Sequence, residues 1–175
     1  MSAILNNIVV LLLLRLLHIL GGVFWVGAAW MLAGFVSPTA SASGPEGARF
    51  MQRLMGGRLP ILVSAAAGIN ILAGFLLFWR YTNWRLDLIT TGAGLGFTLG
   101  ALIALAAFGV GIGVSKPAAD RLGALGKEIA ASGKPPSPEQ AATIQQLSKR
   151  VSDAAAWVAV LLAVALIAMS VARYL

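Results

Sequence analysis

Two ionisable side chains, Arg15 and His18, lie three residues apart inside the first long apolar run of the chain. An ionisable residue at the centre of a membrane span costs about 2.5 to 3.5 kcal/mol on insertion scales, so it is expected to face a partner or a cavity. His18 is the only histidine in the sequence. An imidazole can be an axial ligand of haem iron, and a guanidinium can pair with a haem propionate. The two residues are therefore a candidate cofactor site.

More residues follow the same helical spacing. Arg15, His18, Gly22, Trp25 and Ala29 are separated alternately by three and four positions, which places them on one side of a helix that we expect to face a bundle interior. A glycine one turn from the imidazole predicts flat, open space beside the ring, as a porphyrin needs. This pattern predicts a porphyrin site at Arg15, His18, Gly22 and Trp25, with His18 as the axial metal ligand.

The structural alternative needs no cofactor. In that interpretation His18 forms a hydrogen bond to Asn70, to Ser64 or to a backbone carbonyl inside the bundle, and Arg15 extends outward to the membrane surface. A single intramembrane histidine has many structural uses, and the residues alone leave both interpretations open.

The composition determines the class of protein. Of the 175 residues, 59% are hydrophobic and only 11% are charged, which is too few charges to solvate a globular surface. Apolar runs near the ~20 residues that a spanning helix needs predict an all-α integral membrane four-helix bundle. We expect one membrane domain over 1–175, in contact with the lipid bilayer, with spans at about 8–36, 60–79, 89–114 and 154–171.

Positive charge predicts which loops are cytoplasmic. Loops 37–59 and 115–151 together carry nine Lys and Arg residues, whereas the opposite side carries three. Because basic residues are enriched in cytoplasmic loops, we predict that both long loops are cytoplasmic and that both termini are outside the cell membrane. The net charge of +7 is then a signal of topology, and no nucleic-acid partner is expected.

The second long loop has the pattern of a helical hairpin over about 117–152 that extends the third and fourth spans. Two apolar series follow helical spacing on either side of a turn at 133–136. They are Leu122, Leu125 and Ile129 on one arm, and Ile144, Leu147 and Val151 on the other. Capping boxes are predicted at Ser43 with Glu46 and at Ser137 with Gln140, and Pro117 should bend the third helix where it leaves the membrane.

Other chemistries have weaker support in the sequence. The chain has no cysteine, so thiolate metal sites and disulfides are excluded. Met51 and Met55 lie one helical turn apart, and their thioethers suit Cu(I), but methionines at this spacing are more often packing residues. Glycines at 92, 96, 100, 109 and 113 suggest close helix packing, either within the bundle or in a homodimer.

The segment from Leu13 to Gly27, with Leu-His-Ile followed by Trp25, resembles the first helix of HemJ-type protoporphyrinogen oxidases and CopD-like four-helix membrane proteins. The likeness extends to the stretch from Met51 to Met55 and to Pro60. It implies that His18 binds haem b in a haem-dependent membrane oxidoreductase or electron-transfer protein. The alternatives are a non-catalytic subunit of a larger membrane complex, docked through the cytoplasmic hairpin, and a copper-handling protein.

Overall fold

The computed structural model describes residues 7–175. The chain is 91% helical and no strand occurs within the described range, which confirms the all-α prediction. The first six residues, including the N-terminus that the charge count places outside, lie outside that range. Four continuous helical segments are long and apolar enough to cross a membrane, and they are Ile8–Ala42, Leu59–Thr82, Gly92–Ser132 and Pro138–Tyr174.

The helical segments are built from shorter elements. In chain order the α-helices are α1 (Ile8–Met31), α2 (Ser37–Ala42), α3 (Gly44–Met55), α4 (Leu59–Thr82), α5 (Leu86–Thr90), α6 (Gly92–Val110), α7 (Lys116–Ser132) and α8 (Pro138–Val171). A π-helical turn at Leu32–Val36 joins α1 to α2, and a second at Gly111–Ser115 joins α6 to α7.

Each π turn comes two residues before a proline. The backbone N–H of Ser37 donates to the Leu32 carbonyl, and that of Lys116 donates to the Gly111 carbonyl. Proline has no N–H and its ring clashes with the carbonyl four residues back, so the wider turn admits Pro38 and Pro117 without ending the helix. The third helix therefore continues through Pro117 by way of a π turn, and the π turn before Pro38 likewise lets the first helical segment continue to Ala42. The bend at Pro117 stays a prediction.

By its internal contacts the chain forms two compact units, each made of several chain segments. Within the described range, the first unit contains residues 7–28, 63–106 and 160–175, and the second contains 29–62 and 107–159. His18 belongs to the first unit, and the loop helices α2, α3 and α7 belong to the second.

A turn rich in aromatic residues follows α4 in the first unit. Asn83 and Trp84 have positive φ angles of 46° and 61°, a conformation that costs free energy for residues other than glycine. The Trp84 ring compensates by packing on Phe75 and Trp79, with ring centroids 5.8 and 6.2 Å away. Thr82, which is fully buried, accepts a hydrogen bond from the backbone N–H of Trp84 at 3.4 Å.

An exposed ion pair comes after this turn. The Arg85 guanidinium lies 2.6 Å from the Asp87 carboxylate. Its hydrogen bond to Asp87 lowers the pKa of that carboxyl below the ordinary value. Because both side chains are exposed to solvent, the pair contributes little to the free energy of unfolding.

Glycines on α6 allow close packing within the first unit. A Cβ atom on Gly96 would lie 2.7 Å from the Ala172 Cβ, and one on Gly100 would lie 2.6 Å from the Met169 Cγ. These two glycines therefore pack against the last helical segment of the same chain, as the intramolecular alternative expects. The homodimer stays a prediction.

Two capping boxes were predicted at helix starts that lie in the second unit, and the structure has one of them. The backbone N–H of Ser137 donates to the Gln140 side-chain oxygen at 3.0 Å, and the Ser137 hydroxyl accepts from the Gln140 backbone N–H at 3.2 Å, so this capping box is confirmed. The box at Ser43 is wrong, because the Ser43 hydroxyl donates to the Thr39 carbonyl at 2.9 Å and caps nothing. The preceding helix α2 supplies this competing acceptor.

The second unit also contains the segments that form the predicted hairpin. Helix α8 runs without interruption from Pro138 to Val171, as expected. Helix α3 packs against α7, where the Gln52 amide lies over Gly126. The apolar series of both arms are half-buried, whereas most residues between them are exposed.

Candidate functional site

The His18 imidazole lies against α4 within the first unit. Its Nδ1 atom is 2.9 Å from the backbone carbonyl oxygen of Asn70. A carbonyl oxygen only accepts hydrogen bonds, so Nδ1 must carry the proton and donate it. In the neutral ring, Nε2 then holds an unprotonated lone pair. Within residues 7–175 no hydrogen bond to Nε2 occurs, so this nitrogen is available to a ligand.

Asn70 returns a second hydrogen bond to the same residue. Its Nδ2 atom donates to the backbone carbonyl of His18 at 2.6 Å, and the Asn70 side chain is only 9% exposed. The two bonds together form a reciprocal contact between α1 and α4, which we call the His18–Asn70 pair. The cofactor-free alternative predicts this hydrogen bond of His18. Interhelical hydrogen bonds in membranes contribute about 0.6 kcal/mol on average and up to about 1.7 kcal/mol. The pair therefore fixes the position of the imidazole at modest energetic gain.

Gly21 and Gly74 let α1 and α4 approach closely around this pair. A Cβ atom on Gly74 would lie 2.7 Å from the His18 Cε1 and 2.9 Å from Nδ1, so the ring rests on the Gly74 backbone. A Cβ on Gly21 would lie 3.0 Å from the Ala66 carbonyl oxygen. The sequence analysis missed Gly74, although a glycine one helical turn after Asn70 is a signal of such an approach.

Gly22 differs from its predicted role. The expectation of open space beside this glycine is wrong, because a Cβ there would lie 2.8 Å from the Asn70 Nδ2. The Asn70 amide occupies the volume that the sequence pattern left for a flat cofactor. The Asn70 side chain belongs to α4 and packs against Gly22. The spacing of residues along α1 cannot reveal a side chain from another helix.

Arg15 differs from the predicted inward stripe, because its side chain is exposed and does not belong to the inward face of α1, as the cofactor-free alternative expects. At 100° per residue, Arg15 lies about 60° from His18 around the helix axis, at the edge of that face. Leu14, His18 and Gly21 are half-buried and Trp25 is only 5% exposed, so the inward face passes through Leu14 instead. Within the described residues no ion pair or hydrogen bond of the Arg15 side chain occurs.

Few side chains of the described residues could coordinate a metal ion together with His18. Among residues 7–175 no group of three or more His, Cys, Asp or Glu side chains is placed to hold a metal ion. Met51 and Met55 line a groove between helices of the second unit, which contains no histidine. The chain thus offers one imidazole nitrogen as a candidate ligand atom.

The hydrogen bonding of His18 has the form that a haem-ligating histidine needs. A metal-bound histidine usually donates its other ring N–H to a carbonyl or carboxylate, which fixes its tautomer and orientation. The Nδ1 bond to the Asn70 carbonyl has this form, and it leaves Nε2 as the donor. The fit is limited in two respects. His18 is the only histidine, so each chain supplies one imidazole ligand, and the Asn70 amide fills the space beside Gly22 in which a flat cofactor was expected.

Comparisons of the chain with protein-family models, with curated proteins and with solved structures give no match.

Proposed function

We propose that this membrane protein binds haem b through the Nε2 atom of His18 and serves a redox or electron-transfer role. The observation that supports the proposal is the Nδ1 hydrogen bond to the Asn70 carbonyl, which leaves Nε2 with a lone pair and no partner in the described chain. Among the described residues no fully buried side-chain nitrogen lacks a hydrogen-bond partner, so the unpartnered Nε2 is accessible to a ligand. The absorption spectrum of the purified protein tests the proposal through its Soret band.

The residues around His18 have distinct tasks in this proposal. The Asn70 carbonyl holds the imidazole tautomer, and the Asn70 amide holds the α1 backbone at the same level. Gly74 leaves room for the ring. Bound haem supplies a one-electron couple whose potential depends on the axial ligand and on burial. The exposed Arg15 guanidinium is free to pair with a propionate carboxylate, and buried Trp25 gives the site an apolar wall.

The proposal includes an orientation in the cell membrane. Nine basic residues in the two long loops against three on the other side favour cytoplasmic loops and external termini. In that orientation His18 lies about 16 Å below the outer end of α1, since it follows Asn7 by eleven residues at 1.5 Å each. Arg15 lies about 4.5 Å nearer the outer end, so propionates paired with it would point outward.

We expect a cysteine introduced at Ser137 to resist labelling by a membrane-impermeant maleimide added to intact cells. The residue lies at the turn between α7 and α8, and the parent chain has no cysteine to confuse the result. The same variant should be labelled after the membrane is permeabilised. A Tyr174→Cys variant is the matched control, because the proposal places it outside. Labelling of Ser137→Cys in intact cells would reverse the proposed orientation.

A second candidate function is that of a non-catalytic subunit which docks a partner through the cytoplasmic hairpin. The observation that favours it is a groove of about 710 Å³ in the second unit, lined by residues of α3, α7 and α8. Polar and apolar side chains alternate in its lining, among them Arg49, Leu122, Ile144 and Ser148. A haem-free protein that purifies with a bound partner would support this function.

The docking function uses the hairpin as a packed pair of helices, and a charge placed between the two helices should disrupt that packing. Replacing Leu125 and Leu147 together with Asp is expected to increase cleavage by trypsin at Lys127 and Lys149 several-fold, because both leucines are half-buried. Helix content of the spans should not change. The control replaces the exposed Ala124 and Ala142 with Asp and keeps the same added charge. Equal cleavage of the two variants would show that the arms are not packed together.

A further inference from the structure

A second cavity of the loop-bearing unit, which we call the α6–α8 crevice, has one apolar half. Its volume is about 460 Å³, and it lies between the end of α6 and the middle of α8. The apolar half is lined by Val110, Val114, Ala154 and Trp157. The Trp157 side chain is 65% exposed, and an indole at a membrane surface prefers the level of the lipid head groups.

The other half of the crevice is cationic. It is lined by Gln146, Lys149, Arg150 and Asp153. Lys149 forms an ion pair with Asp153, with 2.6 Å between nitrogen and oxygen. Arg150 has no acidic partner within the described residues, so one positive charge at the crevice is uncompensated. The adjoining Gln146 amide adds hydrogen-bond donors.

The two halves are ordered along α8 as the parts of a phospholipid are ordered across a membrane surface. Trp157 follows Arg150 by seven residues, or about 10 Å of helix. Within that distance the lining changes from guanidinium and amide groups to aliphatic and aromatic ones. A soluble anion would use only the cationic half, whereas an anionic lipid uses both.

The end of α6 and the π turn after it supply one wall of the crevice through Val110 and Val114. The π turn at Gly111–Ser115 widens the helix at the same level. Val110 and Val114 make this wall apolar.

We propose that the α6–α8 crevice binds one anionic phospholipid. The lipid phosphate pairs with the Arg150 guanidinium and accepts from the Gln146 amide, and the first part of an acyl chain lies along Val114 and Trp157. Basic pockets beside membrane helices favour anionic head groups for this electrostatic reason. The inference is independent of haem binding, because it concerns residues of the other unit.

Trp157 lines this site, and its share of the fluorescence of the five tryptophans is the difference between the parent protein and the Trp157→Phe variant. The purified full-length protein is reconstituted in phosphatidylcholine vesicles, and phosphatidylglycerol with brominated acyl chains is added in increasing mole fraction. Bromine quenches tryptophan fluorescence on contact. We expect a saturating quenching phase that is absent from the Trp157→Phe variant. Brominated phosphatidylcholine should give only linear quenching, and an equal saturating phase with that lipid would overturn the proposal.

The Arg150→Gln variant tests the cationic half. Its half-saturating mole fraction of brominated phosphatidylglycerol should rise about fivefold, the effect of one basic residue near an anionic surface. Lys127→Gln is the control, since it removes the same charge from an exposed site of α7 outside the crevice. An equal rise in both variants would mean diffuse attraction and would refute a specific site. Reversal of the quenching by excess glycerol phosphate would show a site for free phosphate esters instead of lipid.

Discussion

Replacing His18 with alanine is expected to abolish the Soret absorption of the protein purified from cells supplied with ample haem. The chain has one histidine, and its Nε2 atom is the ligand atom that the His18–Asn70 pair leaves open. No other imidazole or thiolate in the chain can replace it. We expect the haem content to fall at least tenfold relative to the parent protein, as measured by absorption and by the pyridine haemochrome assay.

Three further variants distinguish loss of the ligand from loss of the fold. Arg15→Ala should lower haem retention without removing it, because the exposed arginine acts on the propionates and not on the iron. Asn70→Leu should keep haem bound but hold it more weakly, because the backbone carbonyl that receives Nδ1–H stays in the chain. Gly74→Ala should lower haem content strongly, because its Cβ would lie 2.7 Å from the His18 Cε1 and displace the ring.

Added imidazole provides the most direct control. In the His18→Ala variant it should enter the vacated volume and restore part of the Soret band, whereas it should do nothing for Gly74→Ala, in which the His18 ring is still present. Helix content measured by circular dichroism should be equal in all variants. If the parent protein itself shows no Soret band, haem binding is refuted and the function as a membrane subunit becomes the better account.

The largest expected effect on stability comes from Gly94→Ala. A Cβ atom on Gly94 would overlap the carbonyl oxygen of Leu88, at the point where the short helix α5 packs on the start of α6. Backbone atoms cannot move aside as a flexible side chain can, so α5 must shift or detach. Overpacking of this kind costs about 1–3 kcal/mol, or about 3–10 °C in melting temperature for a chain of this size. Thermal unfolding in detergent followed by circular dichroism measures it.

Gly68→Ala is the matched control for that substitution. Gly68 lies in α4, in the same unit, and a Cβ there would meet no atom within 4 Å. The melting temperature should stay equal to that of the parent protein or rise slightly, because alanine favours helix over glycine. If both variants melt at the same temperature, the contact between Gly94 and Leu88 is not tight in the folded protein.

Local patterns predicted the main elements because their causes lie within a few neighbouring residues. Apolar runs of spanning length predicted four membrane helices, and the structure has four helices of that character. The Ser137 capping box was predictable since both hydrogen bonds join residues three positions apart. The half-buried series on α7 and α8 follow the predicted spacing for the same reason.

The details of the candidate site depended on contacts between residues far apart in the chain. Spacing along α1 places Arg15 near His18, but only the position of α4 decides that Leu14 lies inward and Arg15 does not. The same helix supplies Asn70, which fills the space beside Gly22, and Gly74, on which the imidazole rests. The sequence by itself therefore determined the membrane class, the helices and the single histidine of the candidate site. The tertiary structure decided which nitrogen of His18 is free, because that depends on a carbonyl fifty-two residues away.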